Sequence, residues 1–401
     1  MFVLPFRRST PQQFQRETNL TLVLRSLRDV GPSSRSELAT RIGIDRSTMT
    51  SIATDLLATG IVTEGSGEPS GARGGRRPRL LTLNQERVVA VGVQLGEDTA
   101  EWSVCALGGT EIDRGGVGRG TLAEPKEWAS CAFGELSAYL ASWKESHRDR
   151  SPLVAGVGLG VSGIVEPRLG ILRESTVLGA RDLDLGRIWK ESRGSEPRPL
   201  LLVDNDANCC AWNIARDEPS SGTTIFVQLS LHHAETGGLR PTLGGVGLSF
   251  VIDGRVYYGS SHAAGELRGY RWTEAHTDQL GLSQLSDRAV SAVVARMSEE
   301  LLRNLGVIAS ALDPARIVLG GDLAGRYALV AEQLATTLSG SSIAPLFESG
   351  VLQVAAPTEY PVSLGAAQMV LHEIFSLPTV GGERDPGLGW QTILERLRSV
   401  S

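Results

Sequence analysis

Residues 34–62 read SRSELATRIGIDRSTMTSIATDLLATGIV, and this stretch decides the first part of the fold. Ser34 stands three residues before Glu37, the spacing of a capping box, and Leu38, Ala39 and Ile42 line one side of a short helix that Gly43 ends. After Ile44, Asp45 can cap another helix, on which Met49, Ile52, Ala53, Leu56 and Leu57 recur at helical spacing until Gly60 closes it. The opposite face carries Arg46, Ser47, Thr50, Ser51 and Thr54. Short donors and acceptors on a helix let it sit deep in the major groove of duplex DNA. A solvated face would look the same in isolation, so its weight comes from its neighbours.

Upstream, Leu20, Val23, Leu24 and Leu27 form one apolar stripe of a helix that Gly31 and Pro32 break. Downstream, Ile61 to Glu64 and Pro78 to Leu83 read as two strands joined by a Gly- and Ser-rich loop. That loop holds GARGGRRPR, residues 71–79, with four arginines and no carboxylate. Such a run can clamp phosphates or enter a narrow minor groove, although a flexible linker is the plainer alternative. Three helices and a two-stranded wing predict a winged helix-turn-helix over residues 1–83. Its candidate DNA contacts are Arg35, Arg46, Ser47, Thr48, Thr50 and Ser51, together with Arg73, Arg76, Arg77 and Arg79 of the wing.

Charge divides the chain the same way. Residues 1–80 hold 12 Arg against 7 acidic residues, a balance of +5, whereas the remainder carries −11. A basic head on an acidic body suits a protein whose head meets phosphate and whose body does not. No apolar run is long enough to span a bilayer, so no membrane partner is expected. The amino terminus lacks the pattern of a secretory signal, which makes the cytoplasm the expected location. Cys105, Cys131, Cys209 and Cys210 have no CxxC spacing, which speaks against a disulfide framework and a cysteine-rich metal site.

From Val88 the pattern becomes α/β. Strands are expected at 88–95, 101–107, 111–118 and 154–161, with a helix across 128–146. A second round follows with strands at 200–203, 224–229, 247–252 and 255–258 and a helix from Asn208. This apparent duplication predicts two lobes, 84–200 and 201–380, a cleft between them, and a C-terminal tail with a short helix at 381–401.

The chain resembles transcription regulators of the ROK family (repressors, open reading frames and kinases). The resemblance rests on the head and wing together with GVGLGVSGIVEP, VDNDANCCAW, GGVGLSFVIDGRVYYGSSHAAGEL and LDPARIVLGGDLA, in family order. It implies an actin-like, sugar-kinase-type two-lobed body behind the head, a DNA operator, a homodimer or homotetramer, and a sugar or sugar derivative as effector. Asn205 and Asp206 match the family's sugar ligands, Asp206 being the catalytic base in kinases. Glu266 matches another sugar-binding carboxylate, and Ser162-Gly163 occupies the place of a sugar-side turn.

The kinase parts are incomplete. Where the kinases' first phosphate loop has an aspartate, this chain has Gln94, and Glu97 adds negative charge where nucleotide phosphates would approach. The second loop, residues 243–247, is partly kept and is preceded by an apparent insertion at 232–240. The family's zinc cysteines have no counterpart in residues 268–276, so neither metal nor cofactor is expected. The family's histidine after the glutamate is replaced by Gly269 or Tyr270, and His262 is given no role. The expectation is a sugar-controlled repressor without enzyme activity; the alternative is an ATP-dependent sugar kinase with an appended DNA-binding head.

Overall fold

The computed structural model describes residues 10–66, 79–192, 199–217, 222–229, 232–233, 241–242, 246–267, 290–321, 336, 339–340, 344–345, 349–355, 361–378 and 386–400. Helix α1 (Pro11–Val30) begins two turns earlier than its apolar stripe suggests. Thr10 and Gln13 form a capping box and Pro11 takes the first turn, a signature that stands in the sequence but lies ahead of the first buried side chain. Gly31 ends α1 at φ +93°, a backbone that a side chain would strain. Strand β1 (Ser33–Ser34) leads into α2 (Arg35–Ile42), which Ser34 and Glu37 cap reciprocally and a left-handed Gly43 terminates. Asp45 caps α3 (Arg46–Ala58), whose Met49, Ile52, Ala53 and Leu56 are buried. Strands β2 (Val62–Ser66) and β3 (Arg79–Leu83) pair antiparallel, and β1 adds to β3, so three helices and a three-stranded sheet build the head.

The body repeats one topology twice. In the first sheet, β4 (Val88–Leu95), β5 (Thr99–Ala106) and β6 (Glu111–Gly118) form an antiparallel meander. Helix α4 (Pro125–Ser146) then covers the sheet, and β7 (Leu153–Val161) joins parallel to β4. A small sheet of β8 (Ile164–Glu166), β9 (Ile171–Ser175) and β10 (Ala180–Asp184) follows, with α5 (Leu185–Glu191). Strand β11 (Leu200–Asn205) returns parallel to β7 and leads into α6 (Asp206–Asp217). The second sheet starts with β12 (Thr223–Leu229); the two-residue strands β13 (His232–His233) and β14 (Pro241–Thr242) form a separate ladder. Strands β15 (Val246–Ile252) and β16 (Arg255–Tyr257) complete a second antiparallel meander with β12. After α7 (Val290–Leu312), β17 (Arg316–Gly321) runs parallel to β12 and β18 (Leu352–Val354) parallel to β17. Numbered from its own first strand, each five-stranded sheet has the order 3-2-1-4-5. The duplication is therefore one of topology and strand direction, not only of pattern.

The structure departs from the expected boundaries. Strand Leu200–Asn205, placed from 201 onward in the second lobe, is hydrogen-bonded along its length to β7 and completes the first sheet. Helix α8 (Val362–Phe375) also packs on that first sheet, because Gly92 and Gly158 leave room for its backbone. The C-terminal helix α9 (Trp390–Val400) is no detached tail. Its first amides, Trp390 and Gln391, donate to the carboxylate of Glu17 on α1 at 2.6 and 2.9 Å. Arg396 donates to the carbonyls of Val154 and Ala155 on β7. Asp55 on α3 accepts from Arg16 of α1 and Arg398 of α9. Arg87, buried, ties the carbonyl of Thr59 at the end of α3 to that of Ser151 in the first lobe.

These contacts close over a single apolar core. Leu20, Leu24, Leu38, Met49 and Ile61 of the head join Val88, Ala90, Val370, Ile374, Trp390 and Leu394 in one continuous cluster. The head is therefore welded to the first lobe rather than hung from a linker. Glu17→Ala removes the acceptor that caps α9, and we expect it to cost about 1–2 kcal/mol and to expose the C-terminal segment to limited proteolysis before the rest of the chain. Cleavage kinetics unchanged from wild type would show that α9 is held without Glu17.

Candidate DNA-binding face and ligand cleft

On α3, Arg46, Ser47, Thr50, Ser51 and Thr54 are exposed and Thr48 half-buried. They share the face opposite the buried stripe, as the spacing requires. Several are already engaged locally. The carboxylate of Asp45 accepts from the backbone N–H and Oγ1 of Thr48 at 2.8 and 2.6 Å and from Ser47 Oγ at 2.5 Å. Those bonds hold Asp45 well below the usual carboxylate range, Ser47 contributing most. Thr50 and Thr54 donate to the carbonyls one turn earlier. Arg46 therefore supplies the cationic group of this face.

At the wing base, Arg35 and Arg79 both bind Glu64 at 2.9 Å, and the hydrogen bond from Arg79 is the main reason that this carboxyl is held low. Both arginines expected at DNA are thus braced by one carboxylate that links α2 to the wing. Arg73, Arg76 and Arg77 lie outside the described residues. A groove of about 440 Å³ opens between α1 and α3 beside this face, lined by Pro11, Gln12, Gln15, Arg16, Asn19, Thr48, Ser51 and Ile52.

The cleft residues converge because β7 and β11 are parallel neighbours that end at one level, with Val161 opposite Asn205. Ser162 and Gly163 follow β7; Asp206 opens α6 directly after β11. The carboxyl ends of parallel strands are where open α/β sheets bind ligands. Asn205 Nδ2 donates to the Gly163 carbonyl at 2.8 Å, and the Ala207 amide donates to the side-chain oxygens of Asn205 and Asp206, both at 2.8 Å. Gly163 has φ +123°, and a Cβ there would stand 2.1 Å from the Glu174 carbonyl, so this turn needs glycine. Glu266 arrives from the second lobe: it bridges to Gly247, where a Cβ would stand 3.1 Å from the Ala207 methyl. Ser162, Gly163, Asn205, Asp206 and Glu266 thus gather around the first turn of α6.

Asp204 is not among the residues expected from the sequence, yet it organises this turn. It is 1% exposed. Its Oδ1 accepts from the Asn205 amide and from Asn208 Nδ2 at 2.8 and 2.9 Å, and its Oδ2 from the Tyr258 hydroxyl at 2.7 Å. Asn208 Oδ1 in turn accepts from Ser249 at 2.7 Å. Burial pushes the pKa of Asp204 up to about 6, against the lowering pull of Asn208 and Tyr258. The alternation of a strand is the signal that could have found it: with Asn205 facing the cleft, Asp204 must face inward.

The loop that resembles a phosphate cradle is a tight turn. The Gly96 amide donates to Thr99 O at 2.9 Å, and the Trp128 indole donates to Gly96 O. Arg119 holds the carbonyls of Glu97, Leu122 and Ala123. Residues 243–245 and 268–276, with Gly269 and Tyr270, lie outside the described residues. Among the described residues no cluster of three His, Cys, Asp or Glu could hold a metal ion, and no helix is long and apolar enough to cross a membrane.

No family model matches the chain. A crystal structure of a ROK family transcriptional regulator, a homologue of the E. coli MLC protein, superposes on 95% of this chain and all of its own with a TM-score of 0.67 at 14% identity. The chain has the fold of the ROK family. The family resemblance drawn from the motifs is borne out, as is the actin-like two-lobed class behind the head. In sequence, the chain is 26% identical over 262 residues to the xylose repressor of Caldicellulosiruptor bescii, covering 63% of itself and 58% of that repressor. It therefore spans less than two thirds of the length of the curated repressors it matches. Over 111 residues, 28% of the chain and 32% of its relative, it is 33% identical to the N-acetyl-D-glucosamine kinase of Aliivibrio salmonicida.

Proposed function

We propose that the protein is a cytoplasmic DNA-binding repressor that acts as a homodimer or homotetramer and is controlled by a sugar or sugar derivative in the cleft. The observation that carries this reading is the continuous core between head and first lobe. It makes α3 part of the same rigid body as the strand end bearing Asn205 and Asp206. A ligand gripped between that end and Glu266 of the second lobe changes how the lobes sit, and with them the spacing of two heads on an operator. Similarity to xylose repressors supports the same reading. A ligand favouring the non-binding arrangement by about 2–3 kcal/mol would weaken operator affinity roughly thirty- to a hundredfold.

Footprinting of the purified full chain on genomic fragments, with and without D-xylose, D-glucose or N-acetyl-D-glucosamine, tests it. We expect protected sites with two half-sites, released by one of these sugars or a derivative. Replacing Arg76 and Arg77 by Ala should lower the magnitude of the salt slope of operator binding by about two, one for each phosphate no longer neutralised. An unchanged slope would sink the wing contacts, and failure to bind duplex DNA at all would sink the reading.

Asp206, placed as in the kinases, and the stretch shared with the N-acetyl-D-glucosamine kinase favour a second reading, a sugar kinase with an added head. Gln94 and the closed 96–99 turn speak against it, because phosphate needs free backbone N–H groups. A coupled ATP assay with the same sugars should show no turnover. Turnover that Asp206→Asn abolishes would overturn the repressor-only reading.

A further inference from the structure

Of the buried side-chain atoms without a hydrogen-bond partner among the described residues, two lie on the elements that hold Glu266: Oε1 of Gln228 and Nδ1 of His262. Buried polar atoms in native folds are paired, so an unpaired one beside a cleft calls for a partner that the free chain does not supply. Gln228 stands at the end of β12 directly opposite Gly247, the residue bridged to Glu266. The side-chain direction follows from its neighbours. Ser249, on the same face of β15 as Gly247, bonds Asn208 of α6, and a Cβ on Gly247 would lie 3.1 Å from Ala207 and 4.0 Å from the Gln228 Cβ. Gln228 therefore projects on the sheet face that meets the first turn of α6, beside Asp206.

His262 lies four residues before Glu266 in a loop closed by the Ala264 amide on the Tyr258 carbonyl. Its backbone is left-handed, at φ +58°, a conformation that glycine adopts freely and a residue with a Cβ takes only at some cost. Its ring stands edge-on to Tyr258, 6.1 Å between centroids, and the Tyr258 hydroxyl bonds Asp204 under the cleft floor. A strained backbone thus holds an imidazole, with a buried unpaired nitrogen, against the network that supports Asn205 and Asp206.

We propose that Gln228 and His262 are effector-contacting residues. One ligand hydroxyl donates to Gln228 Oε1, and another bonds His262 Nδ1 as donor or acceptor according to the ring tautomer. The ligand class is a polyhydroxylated monosaccharide read on two edges, one by Asn205, Asp206 and Glu266 and the other by this pair. The assignment rests on the sugar-cleft reading above.

Calorimetric titration of the full chain with D-xylose, D-glucose and N-acetyl-D-glucosamine tests it in wild type, Asp206→Asn, Gln228→Met and His262→Gly. For the sugar that wild type binds, each of the last two variants should weaken binding about tenfold or more. His262→Gly should melt, without ligand, at or above the wild-type midpoint, because glycine suits its backbone; its weaker affinity is then no folding defect. If Asp206→Asn loses binding while Gln228→Met and His262→Gly keep it, this assignment is overturned and the cleft reading stands. Loss in one alone retains that residue and removes the other. No binding of any of these sugars by wild type takes down both.

Discussion

Gly365→Ala is expected to abolish the folded state or to lower its stability by more than about 3 kcal/mol. Helix α8 is clamped on two sides. On one side its backbone lies on the first sheet, where a Cβ at Gly92 would stand 1.8 Å from the Ser363 carbonyl and one at Gly158 2.0 Å from the Ala366 carbonyl. On the other, a Cβ at Gly365 itself would stand 1.7 Å from the Cys209 carbonyl and 2.4 Å from its carbon. Those are backbone atoms of α6, so no rotamer change relieves the clash. Either α6 moves, carrying Asn208 and the Asp206 turn out of place, or α8 lifts from the sheet and opens the core beneath it. A matched control is Gly134→Ala in α4, where nothing lies within 4 Å of the new methyl. It should be neutral or stabilise by about 0.5–1 kcal/mol through helix propensity. Urea titrations of both variants decide it: equal midpoints would mean that α6 and α8 do not meet at Gly365.

That clamp also shows what the sequence could and could not disclose. The head is legible because its signals are local: Ser34 with Glu37, Asp45, Gly43 and the 3.6-residue stripe of α3 each act within a few residues. Most body strands fall within two residues of their expected positions for the same reason, the alternation being local. What stays hidden is everything set by long-range contact. Nothing around Val362 announces that a helix so late in the chain lies on the first sheet; only the glycines at 92 and 158, read together with it, make that contact possible. Glu17 holding Trp390 joins residues 373 positions apart. At the cleft, the candidate residues are adjacent in sequence or carried by a family motif, and strand alternation could have pointed to Asp204, whereas Gln228 and His262 owe their standing to buried atoms without partners, which a sequence does not print.

Asp204 should be the most sensitive polar position of the second-lobe junction, and two substitutions separate its roles. Asp204→Ala leaves the Asn205 amide, Asn208 Nδ2 and the Tyr258 hydroxyl without their acceptor in a buried site, a loss of about 3–5 kcal/mol. Asp204→Asn keeps one oxygen for the two N–H donors and turns an amide toward Tyr258, whose hydroxyl can accept, so it should fold. The pH dependence then isolates the charge. Because burial raises the folded pKa from 3.8 to about 6, the folded chain holds a proton between those values that the unfolded chain has lost. The contribution of Asp204 to stability is therefore largest below about pH 4, falls as pH rises toward 6, and is flat above. The fall is on the order of 3 kcal/mol by linkage. Subtracting the Asp204→Asn curve from wild type across pH 4–7 removes every other titration and should leave that slope; parallel curves would mean that the carboxyl titrates normally. Tyr258 and Ser249 reach this network from the second lobe, whereas the core that carries the head takes no residue from α6 or from the second sheet. On the function proposed above, a chain weakened at Asp204 should therefore lose its response to the effector while still holding DNA.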